Sequence, residues 1–87
     1  MQTVMLSRTD LKDIFRLGEG YLEDNPDDLQ LEACLDSLEA QYQAAFAGGA
    51  VQAEFRLNEG HYATLLDRFE ALASEGFEEA YAIVAAL

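Results

Sequence analysis

The chain has 87 residues, with 17 acidic against 5 basic side chains, a net charge of −12, and hydrophobic side chains at 51% of its positions. This length predicts a single domain, and the apolar share argues against a disordered chain despite the charge. The negative sign argues against a nucleic-acid backbone or an anionic membrane as the main partner and favours a basic one.

The compartment is indicated by what the sequence lacks. Cys34 is the only cysteine, so an intrachain disulfide is excluded and a reducing environment is expected. The first ten residues have neither the basic start nor the apolar run of a signal peptide. No apolar stretch approaches the ~20 residues that span a bilayer. We therefore expect a cytoplasmic protein.

The chain begins with a predicted strand and a predicted helix. Residues 2–6, "QTVML", are β-rich and mostly apolar. Ser7 and Asp10 then match a capping box with Asp in place of Glu, so a helix should begin at Ser7 or the next residue. The two glycines of "GEG" weaken a helix by about 1 kcal/mol each. The helix therefore either runs to about Glu23 or breaks at these glycines.

The segment "DNPDDL" predicts the start of a second helix. Asn25 fits the N-cap, Pro26 fits the first helical position, and the next two aspartates suit the positive end of the helix dipole. This helix should run from Pro26 to about Ala47, where "GG" ends it. Its apolar face is predicted from helical spacing to consist of Leu31, Leu35, Leu38, Tyr42 and Phe46.

A second strand and further helices follow. Residues 50–58 alternate as in a half-buried strand, with inward positions at Val51, Ala53, Phe55 and Leu57. "NEG" is interpreted as a turn before a third helix, whose apolar face comprises Tyr62, Leu65, Leu66, Phe69 and Leu72. "SEG" interrupts that helix, and the closing "AIVAAL" is either helical or a short strand.

The order strand, helix, helix, strand, helix, helix predicts a small, mostly helical α+β domain over residues 1–87. The two strands should pair in one small sheet with the helices packed on one face, because a two-stranded sheet is marginal without such cover.

The acidic side chains are concentrated in one part of the chain. Residues 17–50 contain eight acids and no base. At about 100° per residue, one arc of the second helix contains Asp28, Glu32, Asp36 and Glu39. A neighbouring arc holds the small residues Ala33, Ser37, Ala40 and Ala44. Like charges four residues apart are mildly destabilising. The acidic arc is therefore either a solvated face of an acidic protein or a surface that contacts a basic partner.

One triplet suggests a covalent modification. Asp36-Ser37-Leu38 resembles the attachment site of acyl carrier proteins, in which the serine holds a phosphopantetheine arm. In those proteins the serine begins a helix after a glycine-containing loop. Here the apolar spacing keeps one helical phase through Ser37. Modification at Ser37 is therefore retained only as a remote alternative.

No motif for catalysis or metal binding is found. Cys34 and His61 are the only soft ligands, and a structural zinc site needs four. Cys34 should be a buried, inert thiol, and His61 an exposed or capping residue. "DNPDD" fails the calcium-loop rule, because Leu29 and Leu35 occupy the positions that need Gly and Glu. We expect no enzyme, no catalytic residue, no metal and no cofactor.

The favoured hypothesis is a non-enzymatic acidic protein that masks a basic surface of a protein partner. Its most concrete form is an inhibitor that imitates nucleic acid, such as an anti-CRISPR from a phage or mobile element, or an immunity protein that neutralises a toxin. The expected contacts are Asp24, Asp27, Asp28, Glu32, Asp36 and Glu39, with Tyr21 as an aromatic anchor.

The alternative is a structural or chaperone-like subunit. In this case the small-residue arc or the "AIVAAL" tail would form a homodimer or hold a partner helix, and the acids would serve only solubility.

Overall fold

The computed structural model describes residues 1–87 and has the predicted element order. The elements are β1 (Gln2–Ser7), α1 (Arg8–Asp24), α2 (Leu29–Ala45), β2 (Gln52–Leu57), α3 (Glu59–Ser74) and α4 (Glu78–Ala86). The α+β prediction is confirmed, and the "AIVAAL" tail is helical rather than a strand.

The two strands form one antiparallel sheet with a buried and an exposed face. Gln2 lies opposite Leu57, and Ser7 lies opposite Gln52. The inner face contributes core side chains that are at most 5% exposed: Val4, Leu6, Phe55 and Leu57. Side chains of the outer face are mostly in solvent, so all four helices lie on one side of the sheet, as predicted.

The start of α1 confirms the capping box. The Ser7 hydroxyl accepts a hydrogen bond from the Asp10 N–H at 3.0 Å, and the Asp10 carboxylate accepts one from the Ser7 N–H at 3.0 Å. The helix then passes through both glycines to Asp24. Gly18 is needed there, because a Cβ at this position would lie 2.9 Å from a Leu35 methyl group. Glycine thus allows α1 to approach α2 closely.

The start of α2 differs from the prediction. Asn25 ends α1 instead of capping α2, since its backbone N–H and its side-chain Nδ2 donate to the Tyr21 carbonyl at 2.9 and 3.0 Å. Pro26 lies in the connecting turn. Asp28 is the N-cap, and its Oδ1 accepts from the Leu31 N–H at 3.2 Å. Both Asn25 and Asp28 are good capping residues, and the tertiary contact that favours Asp28 is described below.

The end of α2 also comes earlier, at Ala45 rather than Ala47. Arg8 of α1 reaches this end, and its Nη2 donates to the Phe46 carbonyl at 3.1 Å. The guanidinium carbon also lies 5.2 Å from the centroid of the Phe46 ring. A cation from another element therefore stabilises the negative end of the helix dipole, which has no base of its own.

Two further details around β2 correct the sequence prediction. Val51 was expected to point inward but is 78% exposed, because it lies just beyond the last paired residue of the sheet. The "NEG" segment begins α3 instead of forming a separate turn. The Asn58 side chain accepts from the His61 N–H at 2.7 Å and so caps this helix directly after the strand.

The last two helices close the core. Gly76 adopts a φ of +102° between α3 and α4, a conformation that favours glycine. Ile83 of α4 is fully buried, and the Tyr62 hydroxyl donates to the carbonyl of Leu87 at 2.7 Å. Eighteen buried hydrophobic residues form one continuous cluster, and no polar or charged residue is buried with them.

The two glycines of α1 should respond differently to alanine. Gly20→Ala meets no atom within 4 Å, so the free energy of unfolding should rise by about 1 kcal/mol from helix propensity. Gly18→Ala should lose that gain, because the new methyl group displaces Leu35. Urea unfolding of both variants tests this pair. Equal stabilisation by both substitutions would contradict the close approach of α1 and α2.

Candidate functional site

Asp28 is held inside the fold by Arg68. The Arg68 Nε donates to Asp28 Oδ2 at 2.8 Å, and its Nη2 donates to Asp28 Oδ1 at 3.2 Å. The Asp28 side chain is 11% exposed. Hydrogen bonding to Arg68 lowers the pKa of Asp28, and the same bonds raise the pKa of Arg68. Asp28 therefore joins α2 to α3, and its carboxylate is already occupied.

Seven acids of the hairpin formed by α1 and α2 face solvent. We define the acidic surface as Glu19, Glu23, Asp24, Asp27, Glu32, Asp36 and Glu39, all of which are exposed. None of these carboxylates has a basic nitrogen within 4.0 Å. The structure thus brings five of the predicted contact residues together with two that sequence reasoning missed, Glu19 and Glu23. The signal for these two was available, because a short turn between two helices returns the second alongside the first.

The bases lie elsewhere or are used within the fold. Arg8 caps α2, Arg68 binds Asp28, and Arg16 lies near acids of its own helix and of α4 at 3.3 and 3.5 Å. Arg8, Lys12 and Arg56 have no ionic partner within 4.0 Å. The negative charge of the acidic surface is therefore not compensated by neighbouring side chains.

A cleft of about 350 Å³ runs between α1 and α2. It is lined by Lys12, Phe15, Glu19, Glu39, Tyr42 and Gln43, and we call it the α1–α2 cleft. Because the two helices are antiparallel, Glu19 and Glu39 share one end of the cleft, and Lys12 lies at the other. Phe15 and Tyr42 form the middle, with ring centroids 6.3 Å apart in an edge-to-face arrangement.

A second cleft, of about 360 Å³, lies between α1 and the turn that joins α3 to α4. It contains Tyr21 and Asp24 together with Arg16, Glu75 and Phe77. Tyr21 is half-buried, and Phe77 is 43% exposed. The predicted aromatic anchor therefore lies beside Asp24 in this second cleft, which contains none of the acids of α2.

Cys34 and Ser37 have the surroundings of ordinary structural residues. Burial raises the pKa of Cys34 to about 11, so the thiol is protonated at neutral pH, and its Sγ lies 3.5 Å from the His61 carbonyl. Ser37 lies in the middle of α2, where its carbonyl and hydroxyl accept from Gln41 at 3.2 and 3.5 Å. No group of three or more His, Cys, Asp or Glu side chains is placed to hold a metal ion.

The two surfaces proposed for self-association differ in their exposure to solvent. In the small-residue arc, Ala33, Ala40 and Ala44 are exposed and Ser37 is half-buried. The "AIVAAL" tail instead packs against the core, and its last residue, Leu87, is half-buried. The tail leaves only Ala82 and Ala85 exposed, so the small-residue arc is the larger of the two open surfaces.

None of the helices combines the length and apolar character needed to cross a bilayer. No protein-family model, curated protein or solved structure matches the chain. What can be said of its function therefore rests on geometry and charge.

Asp28 and Glu32 should separate structural from surface acids. Asp28→Ala removes both the helix cap and the partner of Arg68, and should lower the free energy of unfolding by about 2 kcal/mol. Glu32 lies one turn further along α2, and its exposed carboxylate has no partner. Glu32→Ala should therefore change the free energy of unfolding by less than about 0.5 kcal/mol. Urea unfolding at neutral pH measures both, and similar losses would contradict the structural role of Asp28.

The contribution of the Asp28 charge should depend on pH. Its pKa in the folded state lies below the ordinary value of 3.8, so ionisation stabilises the fold above that value, and the benefit is lost as the pH falls through the folded pKa. Asp28→Asn keeps a capping side chain without the charge. The stability difference between the two proteins should be constant above about pH 5 and shrink below about pH 4. A difference that persisted in acid would assign the effect to packing.

Proposed function

We propose that this chain is a non-enzymatic cytoplasmic protein that masks a basic surface of a protein partner. The observation that carries the proposal is the acidic surface itself, with seven exposed carboxylates on one helical hairpin, none of which has a basic nitrogen within 4.0 Å. A solvated helix face usually mixes charges of both signs, because opposite charges one turn apart stabilise the helix.

The form of the acidic surface favours partners that normally bind phosphate. Glu32 and Asp36 are one turn apart on α2, which corresponds to a rise of about 6 Å and is similar to the phosphate spacing along a nucleic-acid strand. Both belong to a helix whose buried face is part of the core, so little ordering is needed on binding. This supports an inhibitor that imitates nucleic acid, such as an anti-CRISPR, and equally an immunity protein for a basic toxin.

The proposed contacts differ in two respects from those expected from sequence. Asp24, Asp27, Glu32, Asp36 and Glu39 remain, and Glu19 and Glu23 are added. Tyr21 remains as an aromatic neighbour of Asp24. Asp28 is removed from the proposed contacts, because Arg68 already occupies its carboxylate. Its contribution is to hold α2 in position.

A structural subunit remains the second candidate. The exposed small residues of α2, Ala33, Ala40 and Ala44, favour it, because small side chains allow a second helix to approach closely. In that case the carboxylates serve solubility alone. No observation at Ser37 favours the acyl-carrier alternative.

Charge reversal tests the favoured proposal. The tagged protein is used to capture partners from cells of its source, and captured proteins are identified by mass spectrometry. A nucleic-acid-binding protein or a toxin should be retained and released by duplex DNA or by raised salt. The triple variant E32K/D36K/E39K should lose this partner and keep its helical circular dichroism.

The matched control reverses three exposed acids outside the acidic surface, in the variant E54K/E59K/E70K. This variant changes net charge by the same amount and should retain the partner. Equal loss with both variants would indicate a diffuse effect of net charge. Undiminished capture by the first variant would show that α2 is not the interface.

A further inference from the structure

The acidic end of the α1–α2 cleft lacks a cation. Glu19 and Glu39 are both exposed, and neither has a basic nitrogen within 4.0 Å. Lys12, the base of this cleft, precedes Glu19 by seven residues on α1, or about two helical turns. Two carboxylates at one end of a groove repel each other, and a cation between them relieves that repulsion.

The floor of the cleft is aromatic and firmly anchored. Tyr42 contacts Phe15 on the surface side and Phe46 on the inner side, where the ring centroids are 5.4 Å apart. Phe46 in turn lies 5.9 Å from Phe55, which is fully buried. We call these four rings the aromatic row. Because the row reaches the core, an aliphatic chain on its half-buried end meets a rigid surface.

The aromatic row already holds a guanidinium at its inner part. The Arg8 guanidinium carbon lies 5.2 Å from the Phe46 ring centroid, and its Nη2 donates to the Phe46 carbonyl at 3.1 Å. A planar cation thus lies against one ring while its N–H groups reach an oxygen beside the row. The outer part of the row, Phe15 and Tyr42, lines the same cleft as the carboxylates of Glu19 and Glu39.

We propose that the α1–α2 cleft binds an arginine side chain of the protein partner, with its guanidinium between Glu19 and Glu39 and its aliphatic stem across Phe15 and Tyr42. The inference rests on the proposed function, since it names one contact by which that partner is held. Arginine suits the site better than lysine, because its planar fork donates to two carboxylates and lies flat against a ring. Lys12 and Gln43, at the far end, face the backbone that follows the arginine.

Three short peptides test the assignment on the full chain. The probes are acetyl-Gly-Arg-Gly-amide, the same peptide with lysine, and the same peptide with citrulline, which keeps the shape of arginine without its charge. Backbone and tyrosine-ring NMR resonances are followed during titration. The arginine peptide should shift residues 12–19 and 39–43 and saturate, the lysine peptide should bind more weakly, and the citrulline peptide should not saturate.

Variants then locate the binding. The double variant E19Q/E39Q should weaken arginine-peptide binding by about tenfold or more. The matched control E54Q/E70Q removes two exposed carboxylates outside both the cleft and the acidic surface, and it should change arginine-peptide binding by less than about twofold. No saturable shift with the arginine peptide would overturn the proposal. Equal binding of the lysine or citrulline peptide, or equal weakening by both variants, would overturn it too.

The result is separable from the test of the proposed function. A basic partner that E19Q/E39Q retains at full strength, while E32K/D36K/E39K loses it, would overturn the arginine site and leave the proposed function standing. Saturable arginine binding in the cleft without any basic partner in the capture experiment would support the site and count against the proposed function.

Discussion

The ion pair between Asp28 and Arg68 determines where α2 begins and how this helix is joined to α3. One carboxylate caps the first turn of α2 and also receives two N–H groups from a side chain forty residues later. With its start held there, α2 presents Leu31, Leu35 and Leu38 to the core and leaves the acids between them in solvent. Asp28 is not part of the acidic surface, but it helps to determine the direction in which that surface faces.

The fold separates two populations of charge. Acids with a partner inside the chain stabilise it: Asp10 and Asp28 cap helices, Asp28 also pairs with Arg68, and Asp13 and Glu79 lie near Arg16. The seven acids of the acidic surface have no such partners and repel one another, which lowers stability at low salt. Because the helices are secured by an uninterrupted apolar core, the hairpin keeps its form despite this repulsion. A basic partner would relieve the repulsion, and its binding and the stability of the domain would be linked.

Much of the fold follows from local patterns, and the parts that do not follow depend on distant contacts. Composition predicted β1, period-two spacing predicted β2, helical spacing predicted α1 to α3, and Ser7 with Asp10 predicted the start of α1. The closing segment was compatible with either a helix or a strand. The predicted start of α2 was wrong. Asn25 and Asp28 are equally good capping residues, and Arg68, whose hydrogen bonds favour Asp28, is forty residues away in sequence. At the candidate site the acidic arc of α2 was predicted from spacing alone. The place of Glu19 in the candidate site could not be predicted in this way. Glu19 lies beside Glu39 and Tyr42 only because α1 packs against α2.

The side chain of Gln41 ties the acidic hairpin to the sheet. Its amide accepts from the Arg56 N–H and donates to the Arg56 carbonyl, both at 2.8 Å, on the side of β2 that faces away from β1. The Gln41 amide thus pairs with the backbone of Arg56 as a residue of a third strand would. Sliding α2 along β2 would break both bonds together, so α2 keeps its register relative to the sheet. The carboxylates of α2 are consequently held at fixed positions relative to the strands, while the distances between them are those of the helix itself.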